Sequence, residues 1–250
     1  NDGDVDIVAP DIDTAMVILV NPGGSNPFSA SWQKQSIGST GWVHDVDVAD
    51  FNKDGKNDIV SRNGGGGSTD IYLQGSGGTF SKQSISNIGG EGVSVGDVDT
   101  DGDIDVMAGG HWLENNGSAG GWTDHQIGPD EWGSSAVADI NKDGKNDVVI
   151  GPMEQSGTTL DWYSTANNGA SWTKHTIDGS LGDGVHDFEV GDLDGDGWID
   201  IVAGRMSDRN PAVVNAYKNN AGASWTKVSM SNNGVHNIAI GDVDGDGDID

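Results

Sequence analysis

The feature that most constrains this chain is an aspartate-rich nonapeptide that returns five times: DFNKDGKND from Asp50, DVDTDGDID from Asp97, DINKDGKND from Asp139, DLDGDGWID from Asp192 and DVDGDGDID from Asp242. A partial copy, NDGDVD, opens the sequence. The aspartate ahead of the glycine falls at positions 2, 54, 101, 143, 196 and 246, at intervals of 52, 47, 42, 53 and 50 residues. Five units of about 49 residues therefore fill the 250 positions. A fixed period of this length implies one supersecondary unit per repeat, stacked on its neighbours.

Each unit reads as β. Alternation such as Val46, Val48 or Ile238, Ile240 precedes the loop, and short β-branched runs follow it. A third run carries an aromatic segment (Ile71-Tyr72-Leu73, His111-Trp112-Leu113, Asp161-Trp162-Tyr163), and Asn/Gly/Ser-rich turns lead to a fourth beginning at Trp122, Trp172 or Trp225. Four strands per unit of this length describe a β-propeller blade. Trp32, Phe80, Trp122, Trp172 and Trp225 are then blade-to-blade core, and His111, His125 and His175 belong to the outer strands.

The expected fold is thus all-β: one β-propeller domain over residues 1–250 with blades at about 235–250 plus 1–40, 41–88, 89–130, 131–180 and 181–234. Both ends fall at the same phase of the repeat, as a shared closing blade requires, with strands two to four from about 5–37 and strand one from about 235–242. The competing expectation is a piece of a seven- or eight-bladed ring.

The loop spacing D-x-D/N-x-D-G-x-x-D has its own chemistry. Side-chain oxygens at loop positions one, three, five and nine converge on one centre, the glycine at six permits a sharp turn, and position seven offers a backbone carbonyl. Hard oxygen donors in that number suit Ca²⁺. The ligand sets are Asp50, Asn52, Asp54, Lys56 and Asp58; Asp97, Asp99, Asp101, Asp103 and Asp105; Asp139, Asn141, Asp143, Lys145 and Asp147; Asp192, Asp194, Asp196, Trp198 and Asp200; and Asp242, Asp244, Asp246, Asp248 and Asp250. Lys56, Asp103, Lys145, Trp198 and Asp248 hold position seven and contribute only main-chain oxygen. An EF-hand would need a glutamate at position twelve, where Ser61, Ala108, Ile150 and Ala203 stand instead. The alternative of merely solvated acidic turns leaves packed carboxylates repelling one another.

GDLDGDGWIDIVAG, GDVDTDGDIDVMAGG and DFNKDGKNDIV resemble the calcium-binding FG-GAP/VCBS repeats of integrin alpha-chain propellers, some fungal lectins, and sugar lyases and dehydratases. The resemblance covers nearly the entire chain and implies a propeller with about five structural Ca²⁺ sites, the residues at positions one, three, five and nine being ligands. The opening copy, with Asp2, Asp4 and Asp6, lacks the two preceding ligands.

Six positions before each loop lies a second series, His44, Glu91, Gly133, His186 and His236, followed by Asp45, Gly92, Ser134, Asp187 and Asn237, with Trp42 and Trp132 nearby. Six strand steps put it about 20 Å from the calcium, at the opposite mouth of the channel. Capping of the blades, ligand binding, general acid/base chemistry and a transition-metal site are all open for this ring.

Two functional classes follow. The first is a secreted, calcium-stabilised binding or adhesion module for a glycan or extracellular protein, using His44, Glu91, His186, His236, Trp42 and Trp132. The second is a carbohydrate lyase or dehydratase using the His/Glu ring. A formal charge of −28, from 40 acids against 12 Lys plus Arg, disfavours nucleic acid and anionic membrane. The longest apolar run, Ala15 to Val20, is far too short for a membrane helix. Calcium loops in this number would fill where calcium is millimolar, which points to an extracellular location.

Overall fold

The computed structural model describes residues 3–11, 15–39, 41–64, 67–128, 132–151, 159–181, 184–206 and 213–250. Asp2, and the expected blade limits at 40, 130 and 131, lie outside them. The described chain is all-β, in five antiparallel sheets that follow sequence order. The first has three strands: β1 (Ile7–Asp11), β2 (Ala15–Val20) and β3 (Gln33–Ser39). The second is β4 (Val43–Ala49), β5 (Asp58–Asn63), β6 (Thr69–Gln74) and β7 (Phe80–Ser86). The third is β8 (Val93–Gly96), β9 (Asp105–Ala108), β10 (His111–Asn115) and β11 (Trp122–Gln126). The fourth is β12 (Ser134–Ala138), β13 (Asp147–Gly151), β14 (Leu160–Thr165) and β15 (Trp172–Asp178). The fifth is β16 (Asp187–Gly191), β17 (Asp200–Gly204), β18 (Val214–Asn219) and β19 (Trp225–Ser231). Among the described residues no helix is long and apolar enough to cross a membrane.

The apolar runs that follow the loops become β5, β9, β13 and β17, each buried along its whole length. A strand flanked by two others and covered on both faces needs a continuous apolar run, which is what Asp-Ile-Val and Asp-Val-Val-Ile supply. The fourth strands β7, β11, β15 and β19 are half-buried to exposed.

Successive sheets pack face to face. Met16, Ile37, Ile59 and Tyr72 fill the first junction; Phe51, Val60, Val106 and Leu113 the second; Met107, Trp112, Val148 and Tyr163 the third; Val149, Trp162, Phe188 and Tyr217 the fourth. Phe80, Trp122, Trp172 and Trp225 are half-buried at the borders of these clusters, consistent with their expected packing role. The leading strands β4, β8, β12 and β16 are neighbours in turn.

The C-terminal segment continues this series. Val235 and Ile238 lie against Gly204, and a Cβ on Gly191 would fall 2.7 Å from Ile240 Cδ1. The main chains of Gly241 and Asp250 exchange hydrogen bonds, as a strand-one to strand-two pair does at the start of each later sheet. Residues 235–242 nevertheless form no strand, and among the described residues β1 pairs only with β2, so the expected four-stranded shared blade is a three-stranded sheet here.

Candidate functional site

All five complete loops are built alike. Loop position four, and the glycine at position six, have positive φ: Lys53 57° and Gly55 83°, Thr100 63° and Gly102 92°, Lys142 58° and Gly144 84°, Gly195 72° and Gly197 84°, Gly245 79° and Gly247 98°. This left-handed geometry favours glycine, and it turns the chain back over the first aspartate. There the glycine N–H donates to Oδ2 of Asp50, Asp97, Asp139, Asp192 and Asp242 at 2.8, 3.0, 3.0, 2.8 and 3.0 Å. Positions three and five accept from the N–H two residues on, as at Asn52, Asp99, Asn141, Asp194 and Asp244. Asp54, Asp101, Asp143, Asp196 and Asp246 do the same.

These turns aim the remaining carboxylate oxygens inward. Ligand atoms of Asp97, Asp99 and Asp101, of Asp192, Asp194 and Asp200, and of Asp242, Asp244 and Asp246 lie within 4.8 Å of one another. Asp97 Oδ1, Asp147 Oδ1 and Asp192 Oδ1 are buried and accept nothing. Buried acceptors without donors, gathered beside like charges, are an arrangement that a cation could neutralise, and an all-oxygen donor set is of the kind Ca²⁺ takes.

The ninth-position aspartates have a second role. Their Oδ2 atoms accept from the position-two N–H of Phe51, Val98, Ile140, Leu193 and Val243 at 3.0 to 3.1 Å. Oδ1 of Asp58, Asp105 and Asp200 also accepts from the end of strand three, through Gln74, Asn115 and Asn219. Asp6 repeats that contact with Asn21. Burial pushes the Asp105 and Asp147 carboxyls up to about 7.

At position seven the side chains lead elsewhere. Asp103 pairs with Lys53 of the preceding loop at 2.6 Å, Lys56 with Asp54 at 2.6 Å, and Trp198 lies under Lys142 at 4.4 Å. In the fourth loop the Lys218 ammonium pairs with Asp194, and with Asp196 at 3.0 Å.

The second series converges as well. His44, Asp45, Glu91, Gly92, Ser134, His186, Asp187, His236 and Asn237 line one cavity of about 110 Å³. Glu91 stands between two imidazoles, 3.7 Å from His44 Nδ1 and 3.9 Å from His186 Nε2. His186 Nδ1 donates to the His236 carbonyl at 2.7 Å, which turns Nε2 toward Glu91. Asp45 accepts from Val93 N–H at 2.9 Å and Asp187 from Ile238 N–H at 2.7 Å, each tying its strand to the next repeat. Burial pushes Asp45 up to about 6 and raises Asp187 and Glu189 as well.

Trp42 stands beside this cavity, 4.5 Å from the His44 ring, while Trp132 does not line it. His125 and His175 are on the outermost strands β11 and β15, bonded to Glu114 and Ser164, whereas His111, expected there too, is buried on the third strand β10 and bonded to Asp124. Sequence reasoning missed Arg62. Its buried guanidinium donates to the carbonyls of Gly92, Gly89 and Gly133 at 2.5, 3.0 and 3.5 Å, fixing the segments that carry Glu91 and Ser134.

A family model described as FG-GAP-like repeat matches residues 1–61, 50–108, 139–203 and 192–250. Among solved structures, the V. cholerae biofilm matrix protein Bap1 is similar with a TM-score of 0.50 and 19% identity, over 90% of this chain and 39% of that one. The chain thus spans well under half the length of that protein. No curated protein matches.

Proposed function

Because the chain belongs to the FG-GAP-like repeat family, we propose that it is an extracellular, calcium-stabilised β-propeller module that binds a glycan or protein ligand in adhesion. The observation that carries this reading is the pair of buried, donorless carboxylate oxygens, Asp97 Oδ1 and Asp192 Oδ1, inside turns that gather further carboxylates. Calcium supplies the positive charge there and stabilises the folded state by mass action. Likeness to a biofilm matrix protein supports the adhesion side of the proposal.

The ring closes, in this reading, by residues 235–242 standing as the leading strand of the first sheet. Three observations support it: contact of that segment with the fifth sheet, the contribution of His236 and Asn237 to the axial cavity, and the open edge of β1.

The test is a melt in calcium, in excess chelator and in magnesium, combined with retention on immobilised polysaccharides and matrix proteins. Chelation lowers the melting temperature and abolishes retention, and magnesium restores both poorly because it demands a tighter octahedral cage. An unchanged melt in chelator would sink the proposal.

The two imidazoles flanking Glu91 favour one second reading, a carbohydrate lyase or dehydratase in which they and the carboxylate move protons. Unsaturated products released by the native chain, and lost in a His44→Gln, His186→Gln double variant, would establish it. The same imidazoles could bind a transition metal, which would appear as zinc uptake lost in that variant.

A further inference from the structure

We infer that the cavity walled by Trp42 is a subsite for one neutral pyranose ring of a glycan, an inference that rests on the binding-module reading above. The axial cavity of about 110 Å³ lies well below the roughly 300–1,000 Å³ typical of ligand pockets. Its neighbour, of about 360 Å³, lies within that range and is lined by Trp42, Asn63, Ser68, Asp70 and Lys82 among others.

The aromatic wall is exposed on an anchored main chain. Trp42 is 71% exposed, its carbonyl accepts from Gly64 N–H at 2.8 Å, and the next residue, Val43, pairs with Asn63 across the β4–β5 ladder. An indole held at a cavity mouth offers its apolar face to the C–H face of a sugar.

The polar floor is buried. Asn63 is 4% exposed and Asp70 1%. Asn63 Nδ2 donates to Asp70 Oδ2 and to the Ser68 carbonyl, both at 2.9 Å, and Lys82 Nζ stands 2.9 Å from Asp70. Asn63 Oδ1 is buried and accepts nothing, and a Cβ on Gly41, another lining residue, would come within 3.7 Å of it. A buried amide oxygen without a donor is a cost to the fold, and a ligand hydroxyl admitted by a small shift of the wall at Gly41 would supply the donor.

The repeat does not account for this pairing. Positions equivalent to Trp42 hold Gly89, Glu131, Gly184 and Gly234, and those equivalent to Asn63 hold Gly110, Pro152 and Arg205. Two departures from the repeat therefore meet in one cavity. A carboxylate on the floor and a chain charge of −28 select against acidic sugars, while Lys82 selects against cations.

The experiment titrates the calcium-loaded native chain, Trp42→Ala and Trp42→Phe with the methyl glycosides of glucose, galactose and mannose and with methyl glucuronide, reading tryptophan emission and equilibrium dialysis. The expected result is saturable binding of at least one neutral glycoside, weakened about tenfold or more in Trp42→Ala, largely kept in Trp42→Phe, and absent for the glucuronide. Should Trp42→Ala fail to fold, loss of binding in a folded Trp42→Phe overturns the inference and retention of it supports the inference. Glucuronide binding as tight as that of the neutral glycosides overturns it too. Native retention on a polysaccharide that Trp42→Ala leaves undiminished overturns the subsite alone, whereas a native chain that binds no glycoside, polysaccharide or matrix protein overturns both readings.

Discussion

At the scale of single residues, the loop aspartates divide into two kinds. Asp97 has one oxygen on Gly102 N–H and the other buried without a donor, so its charge has value only when a cation is present. Asp105 accepts from two main-chain N–H groups and holds the loop to β10 whether or not calcium is bound. Asp97→Asn is therefore expected to weaken calcium binding and leave the chelated melt nearly unchanged. Asp105→Asn turns a donor toward an N–H and should cost about 1–3 kcal/mol in chelator as well, measured by urea unfolding in both conditions. Proton linkage follows from the same burial. Asp45 is pushed up to about 6, and Asp105 and Asp147 up to about 7, against about 3.9 when unfolded. Between those values the folded, calcium-free chain binds more protons than the unfolded one, so its stability falls as pH rises from about 4 to 7. Calcium, in the role proposed for it, needs the ionised carboxylates, so its stabilising effect should grow over the same interval. Melts across this range, with calcium and with chelator, check both slopes.

At the scale of elements, much was legible because repetition supplies its own controls. The ninth-position aspartate opens strand two in all four later sheets, at Asp58, Asp105, Asp147 and Asp200. The count of six residues back from each loop brought His44, Glu91, His186 and His236 to one cavity. What stayed hidden were polar links whose partners are distant in sequence. Asn115 Nδ2 donates to the Phe51 and Ile104 carbonyls at 2.9 and 3.1 Å while Oδ1 accepts from Ala119 N–H. Asn219 repeats all three contacts, with Ile140, Ile199 and Gly222. Nothing in a strand-end asparagine announces a carbonyl 64 or 79 residues earlier. Arg62 was hidden for the same reason, its carbonyl partners lying 27 to 71 residues further on. Asn115→Ala and Asn219→Ala should each cost about 1–3 kcal/mol. Their effects should add within about 0.5 kcal/mol, because they sit at different junctions. A double-mutant cycle by denaturant unfolding tests this.

At the scale of the whole molecule, sheets that touch only their neighbours make stability a sum of local and nearest-neighbour contributions. Residues 235–250 supply the cover for Gly191 and Gly204 on the fifth sheet and the donor for Asp187. Deleting them should lower the melting temperature and promote aggregation through the uncovered apolar face. A truncated chain that stays monomeric with an undiminished melt would argue against ring closure.

The links between repeats also have a direction. The carboxylates of Asp45 and Asp187 are filled by amides 48 and 51 residues later, at Val93 and Ile238, and the side chains of Asn115 and Asn219 reach back to carbonyls already in place. On a ribosome, the repeats that carry Asp45 and Asp187 therefore emerge with these acceptors vacant and are locked by the segment that follows. Vectorial synthesis and the order of these latches run the same way, so the four later sheets can settle one after another as the chain emerges, while the edge of β1 waits for the far end.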